Sequence, residues 1–354
     1  MTKLFQPIDI RGISLKNRII VSPMCQYSAQ DGFANDWHLV HLGSRAVGGA
    51  ALVIFEATAI SAEGRITLDD LGIWNNDHIL KLRQITEFIT SQDCVPGIQL
   101  SHAGRKASTH SPWKGHGAIS SVEGAWTTFA PSGIPYSESY STPEALDLIG
   151  IKKIVKDFAD AAERALVAGF KVIELHAAHG YLLHQFLSPL TNVRDDEYGG
   201  NFENRIRLLL EVIVAVRMVW PHTLPLFLRV SATDWAKDGW NLEDTIRLAD
   251  IVKSQGVDLI DVSTGGLVQE QQIPVAPGYQ LKFCSAIKHQ TGMITGAVGL
   301  ITEAVQAETI LVNEDADLIV MAREILRNPY FPLRAASILK QELDWPAPYQ
   351  RAKW

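Results

Sequence analysis

The chain has 354 residues, 47% of them apolar, with a formal net charge of −7, a composition that excludes a disordered or fibrous protein and suits a large buried core. The negative balance argues against a broad nucleic-acid footprint, and three scattered cysteines, Cys25, Cys94 and Cys284, are too few for a disulfide framework or a Cys-rich metal centre. No apolar run approaches the roughly 20 residues of a membrane span and the first residues carry no signal core, so a cytoplasmic setting is expected.

Residues 1–17, with Pro7 and Gly12, read as a small hairpin that closes the lower end of the fold. Apolar, β-branched runs suited to buried parallel strands follow at 18–23, 51–57, 95–100 and 171–176, then at 225–230, 258–262, 293–297 and 317–322. Amphipathic stretches lie between the later ones. Residues 151–168 set Ile154, Val155, Phe158, Ala161, Ala162 and Ala165 at helical spacing, and 202–219, 242–255, 281–290 and 302–313 behave alike. Asn241 before Glu243 and Asp244 is a helix N-cap with acids in the first turn. About eight strands alternating with helices predict a single-domain α/β fold over 1–354, a (β/α)₈ TIM barrel. One segment breaks the pattern: 101–147, rich in Gly, Pro, Ser, Trp and Tyr, is too long for a simple connection and reads as a loop or subdomain after strand 3.

A barrel keeps its chemistry at the C-terminal ends of its strands. The fourth strand ends in Val172-Ile173-Glu174-Leu175-His176-Ala177-Ala178-His179-Gly180-Tyr181, where two imidazoles and a phenol could polarise a substrate oxygen and deliver a proton. The first ends in Ser22-Pro23-Met24-Cys25-Gln26-Tyr27, the second at Ala57, the third at Gln99 before His102-Ala103-Gly104-Arg105-Lys106, and the fifth at Arg229. The sixth to eighth end in Gly265-Gly266, Ala297-Val298-Gly299 and Ala322-Arg323, where barrels often bind phosphate through exposed backbone N–H groups. A flat, hydrogen-bonding ligand with a phosphate tail suits this set, and FMN is such a molecule.

Together with Arg194-Asp195-Asp196-Glu197-Tyr198-Gly199-Gly200-Asn201-Phe202-Glu203-Asn204-Arg205, these motifs make the chain resemble the old yellow enzyme family of FMN-dependent ene-reductases, in the subgroup with a His/His pair and a flavin-proximal cysteine. The resemblance covers nearly the whole chain. It implies non-covalent FMN, contacted by Pro23, Met24, Cys25, Ala57, Gln99 and Arg229 around its ring and by Ala297, Val298, Gly299, Ala322 and Arg323 at its phosphate. It implies NADPH or NADH as reductant and activated alkenes (enones, enals, maleimides, nitroalkenes) as small-molecule partners, turned over by ping-pong kinetics. His176 and His179 would hold the acceptor's carbonyl oxygen, Tyr181 would donate the proton, Cys25 would tune the flavin and Tyr27 would line the substrate side. The family also implies a homo-oligomer, with Arg351 and Trp354 as candidates for reaching a neighbouring active site. Ala322-Arg323 departs from the Gly-Arg more usual in the family.

Other readings stand beside this one. The His176/His179 pair could ligate a metal with His184 or Cys25, which would make the chain a flavin-free metal-dependent hydrolase or lyase; the His-Glu-x-x-His pattern of zinc proteases is absent. A third possibility is a non-catalytic flavin-binding protein. Arg229 could pair with an acid at the barrel mouth, and Gln99 could be an ordinary strand-end residue. Gly265 and Gly266 are turn glycines or ligand contacts. Lys106 and its neighbours bind ligand or anchor the long loop. Arg194 to Tyr198 reads as an ion-paired structural loop, and Trp113 and Trp126 as loop packing.

Overall fold

The computed structural model describes residues 2–354. β1 (Ile8–Ile10) and β2 (Ile13–Leu15) form the expected antiparallel hairpin. It docks on the far side of the chain, where Arg11 meets Asp258 at 2.6 Å and Gly12 N–H donates to the Thr223 carbonyl. Then follow β3 (Ile19–Val21), α1 (Asp36–Val47), β4 (Leu52–Ala59), α2 (Ile79–Ser91) and β5 (Val95–Ser101). The long segment carries two short paired strands, β6 (Phe129–Ala130) and β7 (Glu144–Ala145), before α3 (Leu148–Val167) and β8 (Val172–Ala177). The rest alternates: α4 (Leu182–Leu187), α5 (Phe202–Val219), β9 (Leu226–Ser231), α6 (Leu242–Ser254), β10 (Leu259–Ser263) and α7 (Leu281–Thr291). β11 (Ile294–Ala297), α8 (Ala304–Val312), β12 (Leu318–Met321), α9 (Arg323–Arg327) and α10 (Phe331–Ile338) complete it.

Among the described residues β3, β4, β5, β8, β9, β10, β11 and β12 close into one parallel barrel, with β12 pairing β3 to seal it. The alternation of strand side chains then does the rest. Ile20, Leu52, Val172, Phe227, Leu259 and Leu318 point inward and pack with Ile10 and Leu15 of the hairpin into an apolar floor. The opposite strand faces pack on the helices: α3 buries Ile151, Ile154, Phe158, Ala161, Ala162 and Ala165, the stripe its spacing predicts. Asp147, Asn201 and Asn241 cap α3, α5 and α6 through side-chain oxygens.

Strand bounds agree with the sequence reading to within two residues, whereas α1 and α2 were not anticipated. In α1 the buried face includes His38, His41 and Arg45, which hides the apolar period. Above the apolar floor the inward positions turn polar, and one network holds the loops there. Asp234 accepts from Ser188 Oγ (2.6 Å) and Trp240 N (2.7 Å) and contacts His184 Nε2 (2.8 Å), while His184 Nδ1 accepts from Gly180 N (2.9 Å). All of this is buried. Asp234→Ala should therefore lower unfolding free energy by about 3 kcal/mol, because it strands several buried donors at once. In urea the midpoint should fall with the slope unchanged; an unmoved midpoint would mean that the network carries no net stability.

Candidate active site

The ends of β3, β4, β5, β8, β9 and β10 set the predicted residues around one mouth. Two levels of inward side chains lie above the apolar floor. The lower carries Gln99, Glu174, Arg229 and Asp261; the upper carries His176, Ser231 and Ser263. Parallel register fixes neighbours: Gln99 lies across from Glu174, His176 from Arg229, and Arg229 from Asp261. Gln99 Nε2 donates to Glu174 Oε1 at 2.8 Å. Arg229 Nη1 donates to Ser22 Oγ at 3.1 Å, and its Nε lies 3.3 Å from Asp261 Oδ2, within ion-pair range but off hydrogen-bond geometry. The acid partner anticipated for Arg229 is therefore Asp261. On β4 the register shifts between Phe55 and Ala57, so the main chain at Ala57 is re-aimed beside Gln99.

His176, His179 and Tyr181 cluster tightly. The His176 ring centroid is 5.2 Å from that of His179 and 4.8 Å from that of Tyr181, both edge-on. His179 holds a left-handed backbone (φ 58°), which histidine tolerates better than most residues. Its N–H donates to Ser231 Oγ, and its Nε2 lies 2.7 Å from Ser263 Oγ. The turn that carries it touches the loop after β10 so closely that a Cβ on Gly266 (φ 89°) would sit 2.6 Å from His179 Cα. Gly266 is thus a packing glycine. Lys106 bolts the same two loops together: its Nζ donates to the carbonyls of His179 (3.0 Å) and Gly266 (2.9 Å) and lies 5.5 Å from the Tyr181 ring centroid. Arg105 anchors the long loop by donating to the Ile134, Pro135 and Leu267 carbonyls.

Burial governs the charge states. It pushes both imidazoles well below the usual histidine range, and the Arg229 cation pushes the same way, so the pair is neutral at physiological pH. Burial pushes the Tyr181 phenol well above its usual value and does the same to the Cys25 thiol, assisted by Glu56 and Asp70, so neither ionises near neutrality. Cys25 stays a thiol beside Tyr27. Tyr27 in turn meets Trp113 edge-on at 5.8 Å. Trp113 packs there while staying 65% exposed, and Trp126 packs too, donating to the Glu63 carbonyl and facing Arg65. Arg194 forks onto Asp196 as an ion-paired loop should.

Two cavities flank the cluster. One, of about 170 Å³, is lined by Ser263, Tyr279, Val298, Gly299, Ala322 and Arg323; the Ala297 side chain instead packs in the helix-facing core. The other, of about 210 Å³, lies under the long loop between Tyr27, Lys106, His110, Tyr140 and Tyr181. Arg351 and Trp354 lie on an exposed C-terminal stretch where Trp354 meets Trp345. Among the described residues no three His, Cys, Asp or Glu side chains gather as a metal site, and His184 is committed to Asp234.

At the mouth, Nδ1 of His176 and Nε of Arg229 are buried without a hydrogen-bond partner. Stranded polar atoms of this kind ask for a ligand. An amide and a guanidinium on one wall, main-chain groups at the ends of β3 and β4, and a cavity bordered by Arg323 form a donor set that suits a flat heteroaromatic ring with a phosphate tail. The residues present fit FMN. Glu174, Asp261 and Tyr279 were not singled out from sequence; only the inward alternation of β8 and β10 could have marked the first two.

Comparison with known proteins gives the same direction. The family model described as NADH:flavin oxidoreductase / NADH oxidase matches residues 3–342. The chain is similar to an NADPH dehydrogenase of Bacillus cytotoxicus, 49% identical over 99% of this chain and 97% of that one, and to an NADPH dehydrogenase of Listeria innocua, 49% identical over 99% of each. Among solved structures, morphinone reductase superposes with a TM-score of 0.80 at 27% identity, covering 98% of this chain and 92% of that one.

Proposed function

The chain belongs to the NADH:flavin oxidoreductase / NADH oxidase family, the old yellow enzymes, and is an FMN-dependent NADPH oxidoreductase; within that class we propose that it reduces activated C=C bonds in enones, enals, maleimides or nitroalkenes. The observation that carries this reading is the cluster of two neutral imidazoles and one protonated phenol beside Gln99 and Arg229.

FMN, when bound, would supply the hydride chemistry that links the nicotinamide to the acceptor. The protein's own groups do the rest. Gln99 and Arg229, with main-chain groups at Pro23, Met24, Cys25 and Ala57, would hold the ring, and Arg229 would favour negative charge on it. Val298, Gly299, Ala322 and Arg323, with the main chain of Ala297, would hold the phosphate. His176 and His179, each neutral, donate an N–H toward the acceptor's carbonyl oxygen and so draw electron density from its β-carbon. Tyr181 delivers a proton to the α-carbon. Cys25 tunes the flavin as a neutral thiol, and Tyr27 lines the acceptor's side. The reading also takes the closed barrel as one domain and the protein as a cytoplasmic homo-oligomer; among the described residues no helix is long and apolar enough to cross a membrane.

Anaerobic stopped-flow tests it. NADPH should bleach the flavin, and cyclohexenone or N-phenylmaleimide should restore its colour in a second, separate phase. Bleaching that no activated alkene reverses would remove the alkene assignment while leaving the family intact. A colourless protein containing zinc would favour a metal-dependent hydrolase instead.

A further inference from the structure

Two buried carboxyl groups in the barrel have no part in the scheme above. Glu174 on β8 and Asp261 on β10 point inward from either side of β9, at 0% and 1% exposure. Only one cation serves them. Arg229 Nε faces Asp261 at 3.3 Å, while Glu174 receives only the neutral amide of Gln99, through Oε1. Glu174 Oε2 and both oxygens of Asp261 have no N–H or O–H donor. These orphan oxygens come from the strands flanking Arg229, Glu174 feels the charge of Asp261, and two carboxyls can hydrogen-bond only with a proton between them. We propose that Glu174 and Asp261 share one proton beneath Gln99 and Arg229, and that this proton positions Arg229 and sets the charge which the barrel wall presents to the flavin ring. The inference rests on the reading of Gln99 and Arg229 as that wall.

The surroundings decide where the proton sits. Asp261 is the anion, because the guanidinium faces it directly. Glu174 is the acid: burial, then the charge of Asp261, push its carboxyl up to about 8. One other group at the mouth loses its charge in the same range, Lys106, pulled down to about 8 by burial and Arg105; the Glu174→Gln variant keeps it, so the difference between variant and wild type reports Glu174 alone. His176 on the same strand is held neutral, Tyr279 is pushed up by burial, and Cys284, behind Asp261 on α7, is pushed up to about 12. With the proton in place, one anion balances one cation and Arg229 is free to face a ligand. Without it the wall carries a second negative charge, which disfavours added electrons on the ring. The flavin potential should then fall with pH more steeply than the flavin alone requires.

Glu174→Gln keeps the shape and a donor while removing the titration. Between about pH 6 and about pH 9 the wild-type midpoint potential should fall through about 8 more steeply than that of the variant, which keeps only the share due to Lys106. Parallel potentials would overturn the proposal. Apoprotein melting gives an independent readout. The folded-state pKa of Glu174 lies above the unfolded value of about 4.3, so its stabilising effect is complete below that value and is lost as pH rises through about 8. The variant should escape that loss, and its melting temperature should gain on wild type as pH rises and level off above about 8; a constant difference would overturn the proposal. Infrared spectra of wild-type protein decide the case even if the variant misfolds. A protonated-carboxyl band fading near about 8 supports the shared proton, beside a separate one from Asp70 fading near about 7, and a spectrum with only the Asp70 component refutes it. A protein that binds no FMN would defeat the reading of the site, while melting and infrared would still decide the proton.

Discussion

A His176→Ala/His179→Ala variant should lose about 10³-fold in enone turnover and most of its affinity for phenols, while still binding FMN and oxidising NADPH slowly. The size follows from the state of the two rings. Burial and the nearby Arg229 charge keep both neutral, so each offers a single N–H and neither supplies a full positive charge. On the proposed reading two such donors would converge on one oxygen, where a single well-aimed donor is worth about 10²–10³-fold and a pair is less than additive. Neutrality has its own signature: turnover should show no histidine titration between about pH 6 and about pH 8, where an ordinary imidazole would change charge. His179→Asn is the informative companion, since asparagine tolerates the left-handed backbone at φ 58° and retains a donor. It should keep more turnover than His179→Ala. Stopped-flow separates the halves of the reaction, and unchanged phenol affinity in the double variant would remove the oxyanion assignment.

The scaffold was readable because it rests on short-range pattern. Eight β-branched runs, the Phe158 stripe of α3 and the Asn241 cap each declare themselves within a few residues. The imidazoles and the phenol fall in one stretch, so they were found together. Pairings across the barrel were not readable. Glu174 lies in the middle of the most conspicuous stretch of the chain, but its meaning depends on Asp261, which only the barrel's closure brings near. Lys106 was left between two readings because its partners are main-chain carbonyls of His179 and Gly266, invisible in any pattern of side chains. Helix α1 escaped notice for the opposite reason: its buried face holds two imidazoles and a guanidinium where the period asks for aliphatic residues. Polar residues turned inward are where sequence pattern and tertiary structure part company, and in this barrel they are also where the chemistry gathers.

Tyr181→Phe should slow the acceptor half-reaction by about 10²–10³-fold and leave reduction by NADPH unchanged, because a proton donor is needed only when the alkene is reduced. The phenol must be protonated to act. Burial drives its pKa well above the usual value of about 10. In wild type the acceptor limb should therefore show no tyrosine titration on the alkaline side up to about pH 10. One step is still expected there. Lys106, pulled down to about 8 by burial and by Arg105, sits over the Tyr181 ring, and loss of its charge should be felt at the phenol. Lys106→Met should abolish that step, and Tyr181→Phe, which removes the phenol that feels it, should lower the rate throughout and flatten the step. A wild-type alkaline limb at the ordinary phenol value would contradict the buried, protonated donor. Equal acceptor rates in Tyr181→Phe and wild type would hand the proton transfer to solvent, and the edge-on phenol 4.8 Å from His176 would be left with packing alone.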